Sequence, residues 1–166
     1  MTTGSNPITF SNFSGNGSDF TIGTISGLPS VPKYCVLNNV TLSFDAYRTG
    51  GGSNAEIFIE VAGHKLRLYE DFPKKETKPL SCNLMSISGL NLISHNVNAG
   101  TLTYSNGSTS LGIRVYHDWY LFGQSDWTIS NIKIIANYTI PDYTVNIQAG
   151  TGGRVTTNGG TYEAGT

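Results

Sequence analysis

The stretch Leu111–Ile140, LGIRVYHDWYLFGQSDWTISNIKIIANYTI, decides the fold. Within it, Gly112–Tyr116 sets Ile113 and Val115 on one face and Gly112, Arg114 and Tyr116 on the other, the two-residue period of a strand. A longer strand is expected over Trp127–Tyr138. Its large apolar residues fall first on odd numbers, Trp127 and Ile129, and then on even ones, Ile132, Ile134, Ala136 and Tyr138. The period therefore slips by one near Ser130 and Asn131, and a β-bulge there would absorb the slip. The two strands are expected to pair as a central hairpin. Between them, His117 to Gly123 carries the aromatics Trp119, Tyr120 and Phe122 in a loop, the first place to look for a binding surface.

Outward from this stretch the same alternation recurs. Over Tyr34–Tyr47, the residues Val40, Leu42, Phe44 and Ala46 face one way and Thr41, Ser43 and Asp45 the other, which reads as a half-buried strand of a sheet with one wet face. Arg48–Asn54 is expected to be a loop, because three consecutive glycines cost too much backbone entropy inside an element. Ala55, Ile57, Ile59 and Val61, a tight turn at Ala62, Gly63 and His64, and then Leu66 and Leu68 read as a hairpin. Lys74–Lys78, between Pro73 and Pro79, reads as a solvated loop. Leu84–Ile93 is apolar but broken by Gly89, and Thr101–Tyr104 is a further short strand. No window holds a helical period over ten residues. About eight or nine short strands separated by turn signals fit an all-β fold, a jelly-roll-like β-sandwich.

The composition agrees. Charged residues make up 13% of the 166, about half the share of an ordinary soluble domain, while Gly, Ser, Thr and Asn are abundant. A net charge of −1 and a pI near 6.3 leave no basic face for a phosphate backbone, so no nucleic-acid partner is expected. No run of about 18 apolar residues is present to form a spanning helix, so no membrane partner is expected either. The start, MTTGSNPITFSNFSGNGS, has neither a basic n-region nor an apolar h-region. Cys35 and Cys82 read as two small buried hydrophobes, with a disulfide as the alternative in an exported protein.

Enzymatic chemistry needs converging groups, and the sequence offers few. His64, His95 and His117 are isolated from one another and from cysteine, and no nucleophile-elbow or phosphate-loop spacing occurs. His64 and His95 are expected as surface loop histidines. Asp118 and Asp126 flank the aromatic loop; paired carboxylates or a calcium site is one reading and turn capping the commoner one. No catalytic residue, metal or cofactor is expected. The candidate ligand or partner contacts are Tyr116, Asp118, Trp119, Tyr120, Phe122 and Gln124. Trp119, Tyr120, Phe122 and Trp127 would stack on a sugar ring while Asp118, Gln124 or His117 reads hydroxyls; filling the core is the competing role for such aromatics.

After Ile140 the composition changes. Tyr143, Val145 and Ile147 alternate as a strand, Ala149–Val155 (AGTGGRV) reads as a turn and second strand, and Gly159–Thr166 is GGTYEAGT. This segment resembles the start of the divergent internalin-type B-repeat, a β-grasp-like module of Gram-positive surface proteins that is common in the tail and fibre proteins of phages of those hosts. The second half of the repeat is absent, and what is present carries too little apolar surface to fold alone. Either the chain is cut, or the tail pairs with the sandwich or a neighbouring subunit. The strand Trp127–Tyr138 (WTISNIKIIANY) is similar to terminal strands of jelly-roll modules in phage tail proteins and of carbohydrate-binding modules. The division expected is an arm over residues 1–17, flexible or edge-pairing, a sandwich over 18–140, and a linker with a partial repeat over 141–166. The resemblance implies a non-enzymatic virion component, an accessory tail, fibre or capsid decoration protein, folded in the host cytoplasm. Its partners would be itself, as a trimer or larger homo-oligomer, other virion proteins, and in one version a cell-surface glycan. The alternative is a carbohydrate-binding module or adhesin domain, on a bacterial surface or secreted.

Overall fold

The computed structural model describes residues 1–86, 91–117, 124–155 and 159–165. Among them are thirteen strands, more than the eight or nine expected, because the polar N-terminal arm and the tail both add to the count. The strands are β1 (Thr2–Thr9), β2 (Phe13–Gly17), β3 (Asp19–Ile25), β4 (Val36–Gly50), β5 (Glu56–Val61), β6 (His64–Tyr69) and β7 (Lys78–Asn83). They continue with β8 (Ile93–Asn96), β9 (Thr101–Tyr104), β10 (Leu111–Tyr116), β11 (Ser125–Ile140), β12 (Asp142–Thr144) and β13 (Thr161–Glu163).

Two antiparallel sheets carry the core. In one, β11 lies between β4 and the N-terminal strands, with β1 along its C-terminal half and β2 along its N-terminal half, and β7 lies beyond β4. The other runs β3-β10-β5-β6. The chain passes repeatedly from sheet to sheet in this order, which is jelly-roll topology. The protein is an all-β sandwich. β8 and β9 pair as a separate hairpin, as do β12 and β13.

The alternation in the sequence sets which side chains face inward. Val40, Leu42, Phe44 and Ala46 of β4 and Trp127, Ile129, Ile132, Ile134 and Ala136 of β11 are all buried, against Ile57, Ile59, Val61, Leu111, Ile113 and Val115 of the opposite sheet. Each large aliphatic side chain so buried contributes roughly 1.5–3 kcal/mol, which is why these strands hold the centre. Phe72 wedges between Tyr69 and Trp127, with ring centroids 5.3 and 5.1 Å away. The turn between β5 and β6 has φ of 49° at Ala62 and 82° at Gly63, both left-handed as a two-residue hairpin turn requires. The bulge in β11 falls where the slip in period places it: its register with β4 breaks between Ser130 and Lys133, and Asn131 has φ of 53°.

Two expectations are corrected, and one open choice is decided. β10 and β11 do not form a hairpin, since β10 pairs with β3 and β5 while β11 pairs with β1, β2 and β4. The two faces of an alternating strand are readable from sequence, whereas its neighbours are not. β4 runs on through Arg48 to Gly50, with Arg48 only 3% exposed, so the loop starts later than the glycine run implied. Trp127, considered for a sugar platform, is 1% exposed and belongs to the core.

Candidate functional site

The loop singled out in the sequence divides across the described residues. Asp118, Trp119, Tyr120 and Phe122 lie outside them. Tyr116, at the end of β10, is exposed, and Gln124, just before β11, is exposed as well. His117 is buried, with Nε2 2.5 Å from the Gly17 carbonyl oxygen, so it holds the β2–β3 corner rather than presenting a donor to solvent. Asp126 stands on the outer face of β11 and accepts hydrogen bonds from Asn16 Nδ2 and, at 3.3 Å, Thr49 Oγ1. It bridges β2, β11 and β4; its expected carboxylate partner, Asp118, lies outside the described residues.

His64 is exposed, as expected, but at the start of β6; His95, expected on a surface loop, is instead half-buried in β8, with Nε2 4.0 Å from Cys35 Sγ, and burial lowers its pKa. Cys35 and Cys82 are both free, the first buried and the second half-buried, and burial raises both thiol pKa values. Among the described residues no group of three or more His, Cys, Asp or Glu is placed to hold a metal ion. No helix in them is long and apolar enough to cross a membrane.

Two surface features stand out. The first is an apolar strip at the end of the sandwich where the tail folds back. The β12–β13 hairpin is tied to the N-terminus by an ion pair between the Met1 amine and Asp142, and by Thr2 Oγ1 donating to Glu163 Oε1 at 2.5 Å. Ala164 N–H donates to the Pro141 carbonyl at 2.9 Å, closing the hairpin onto β11. Tyr34, Tyr143, Val145 and Tyr162 then line a cleft of about 510 Å3. Their exposures are 43%, 57%, 46% and 52%; Val36 (56%) and Ile147 (48%) are exposed as well.

The second is a groove of about 850 Å3 across the outer face of the β11-containing sheet, at the bulge. Its origin is local. β1 ends at Thr9 and β2 starts at Phe13, so residues 10–12 leave the ladder opposite the bulged residues, anchored by Phe10 N–H to the Ile132 carbonyl at 3.0 Å. A bulge bends its strand and increases the local twist, opening a concavity there. Cross-strand register builds the floor. Lys133, Ser43 and Ser81 stand in one row over β11, β4 and β7, and Asp45 and Pro79 form the next row. Ser130 stands opposite Asp45 in that second row, and Asn131, next to it at the bulge, donates from Nδ2 to Asp45 Oδ2 at 2.6 Å. In the sequence Ser43 and Asp45 are legible only as a wet strand face and Asn131 only as the slip in period; that slip is the one signal pointing to a site, because bulges commonly re-aim a side chain.

No family model, curated protein or solved structure matches the chain.

Proposed function

We propose that this chain is a non-enzymatic structural component of a bacteriophage virion, an accessory tail, fibre or capsid decoration protein that works through contact surfaces. The observation that carries the reading is the apolar cleft of Tyr34, Tyr143, Val145 and Tyr162, each more than two-fifths exposed. A contiguous apolar surface in water is costly and marks a place where another surface docks. The likeness of Tyr143–Thr166 to the start of an internalin-type repeat supports the phage setting. A jelly roll by itself says nothing of function.

The test is self-association and particle association. Sedimentation of the full chain across a concentration series is expected to show a trimer or larger assembly, and Tyr143→Asp with Tyr162→Asp to return it to monomer. Mass spectrometry of gradient-purified particles is expected to find the chain at stoichiometric level. A stable monomer at high concentration, together with absence from the particles, overturns the reading.

A further inference from the structure

We propose that the groove at the β11 bulge is a binding site for an uncharged oligosaccharide. The inference goes beyond the virion reading and stands independently of it. It rests on the chemistry of the floor. Asn131 and Asp45 present an amide and a carboxylate side by side, held together at 2.6 Å, and each keeps hydrogen-bonding capacity that their mutual bond does not use. An amide N–H and a carboxylate oxygen side by side suit the two hydroxyls of a vicinal diol, one accepting and one donating. Ser43 and Ser81 add rotatable hydroxyls one row away.

The apolar share of the lining has the right character too. Phe10 and Pro79 border the same groove; Phe10 is partly buried against the core, and the exposed Pro79 supplies an apolar contact for the C–H side of a sugar ring while the polar floor reads its hydroxyls. Charge argues against the other ligand classes. Among the described residues Lys133 is the one cation of the lining, and the Asp45 carboxylate in the adjacent row offsets it, so a phosphate or sulfate group gains little there. The groove crosses three neighbouring strands, a width of roughly 10 Å at the usual strand spacing. It is open along its length, and a chain of a few rings lies across it better than a single sugar.

The site is also set in advance. Asn131 sits at φ 53°, a left-handed conformation that asparagine accepts more readily than most non-glycine residues, and its amide is held by the bond to Asp45. A floor positioned without ligand loses less entropy on binding.

The experiment uses the full chain on a printed array of uncharged, sialylated and sulfated oligosaccharides. The best uncharged glycan is then titrated calorimetrically as its mono-, di- and trisaccharide. Binding confined to uncharged glycans, tightening from one ring to three, is expected. Asn131→Gly, which suits the left-handed backbone and removes only the amide, is expected to weaken binding by about tenfold, the loss of one good hydrogen bond. Ser81→Trp, on an exposed position of β7, is expected to abolish it by filling the groove, with an unchanged circular dichroism spectrum. Tyr143→Ala is expected to leave it intact. Failure to bind any uncharged glycan overturns the proposal, as does binding that survives both groove variants or is lost in Tyr143→Ala. None of these outcomes depends on self-association, so the virion reading is judged separately.

Discussion

Arg48 holds its guanidinium 5.9 Å from the ring centre of Trp127, inside the sandwich and with no carboxylate among the described residues bonded to it. Its hydrogen bonds go to main-chain carbonyls instead. Nε and Nη2 donate to Phe72 at 2.8 and 2.6 Å, and Nη1 to Gly50 and Gly52, both at 3.2 Å. One side chain thereby pins the end of β4, the glycine loop and the turn bearing Phe72. Burial lowers the pKa of this guanidinium, yet an arginine stays protonated throughout the accessible range.

Replacing Arg48 with Met is expected to cost about 3 kcal/mol, because the carbonyls of Phe72, Gly50 and Gly52 lose their donors in a dry interior. Arg48→Lys keeps the charge but cannot form the fork, and is expected to cost about half as much. Urea unfolding midpoints check both, and Met as harmless as an exposed substitution would show these bonds to be dispensable.

Asn131 supplies a prediction about backbone conformation. Asn131→Ala places a Cβ-bearing residue without a helpful side chain at φ 53° and is expected to destabilise the fold by about 1–2 kcal/mol. Asn131→Gly loses the same bond to Asp45 but relieves the strain, so it is expected to be more stable than the alanine variant by about 1 kcal/mol. Thermal melts of the two variants side by side decide it.

The cysteines predict a pH limit. Burial raises the Cys82 thiol from 9.0 to about 12, and in the same direction raises Cys35 and Tyr104. A folded-state pKa above the unfolded one means that the unfolded chain loses its proton first as pH rises. Stability from Cys82 is therefore complete below pH 9 and falls from there toward pH 12. Unfolding midpoints should hold steady from pH 7 to 9 and then drop. In the folded protein at pH 8 both thiols should react far more slowly with a disulfide reagent than after unfolding, since the thiolate is the nucleophile.

The tail predicts its own independence from the core. The bonds tying the β12–β13 hairpin to the N-terminus are an exposed ion pair from Met1 to Asp142 and a surface bond from Thr2 to Glu163, and every residue of the buried core lies at or before Ala136. Exposed contacts of this kind contribute little. Ending the chain after Ile140 is expected to lower stability by less than about 1 kcal/mol while removing most of the exposed apolar strip. Calorimetric melting of the two lengths measures it.

The sequence alone determined the all-β class, the inward set on β4 and β11, the β5–β6 turn at Ala62 and Gly63, and the bulge at Ser130 and Asn131. The period of apolar residues is a local property, and it records which face of a strand meets the core. Only the tertiary structure decided that β10 and β11 part to opposite sheets, because alternation says nothing about which strand lies alongside. The same holds for Arg48, a charge placed in a solvated loop by its glycine neighbours and buried by carbonyls that the chain supplies from Phe72. It holds again for the groove, where Phe10, Asp45, Ser81 and Asn131 come from four separate segments. Nothing local joins them; register between strands does.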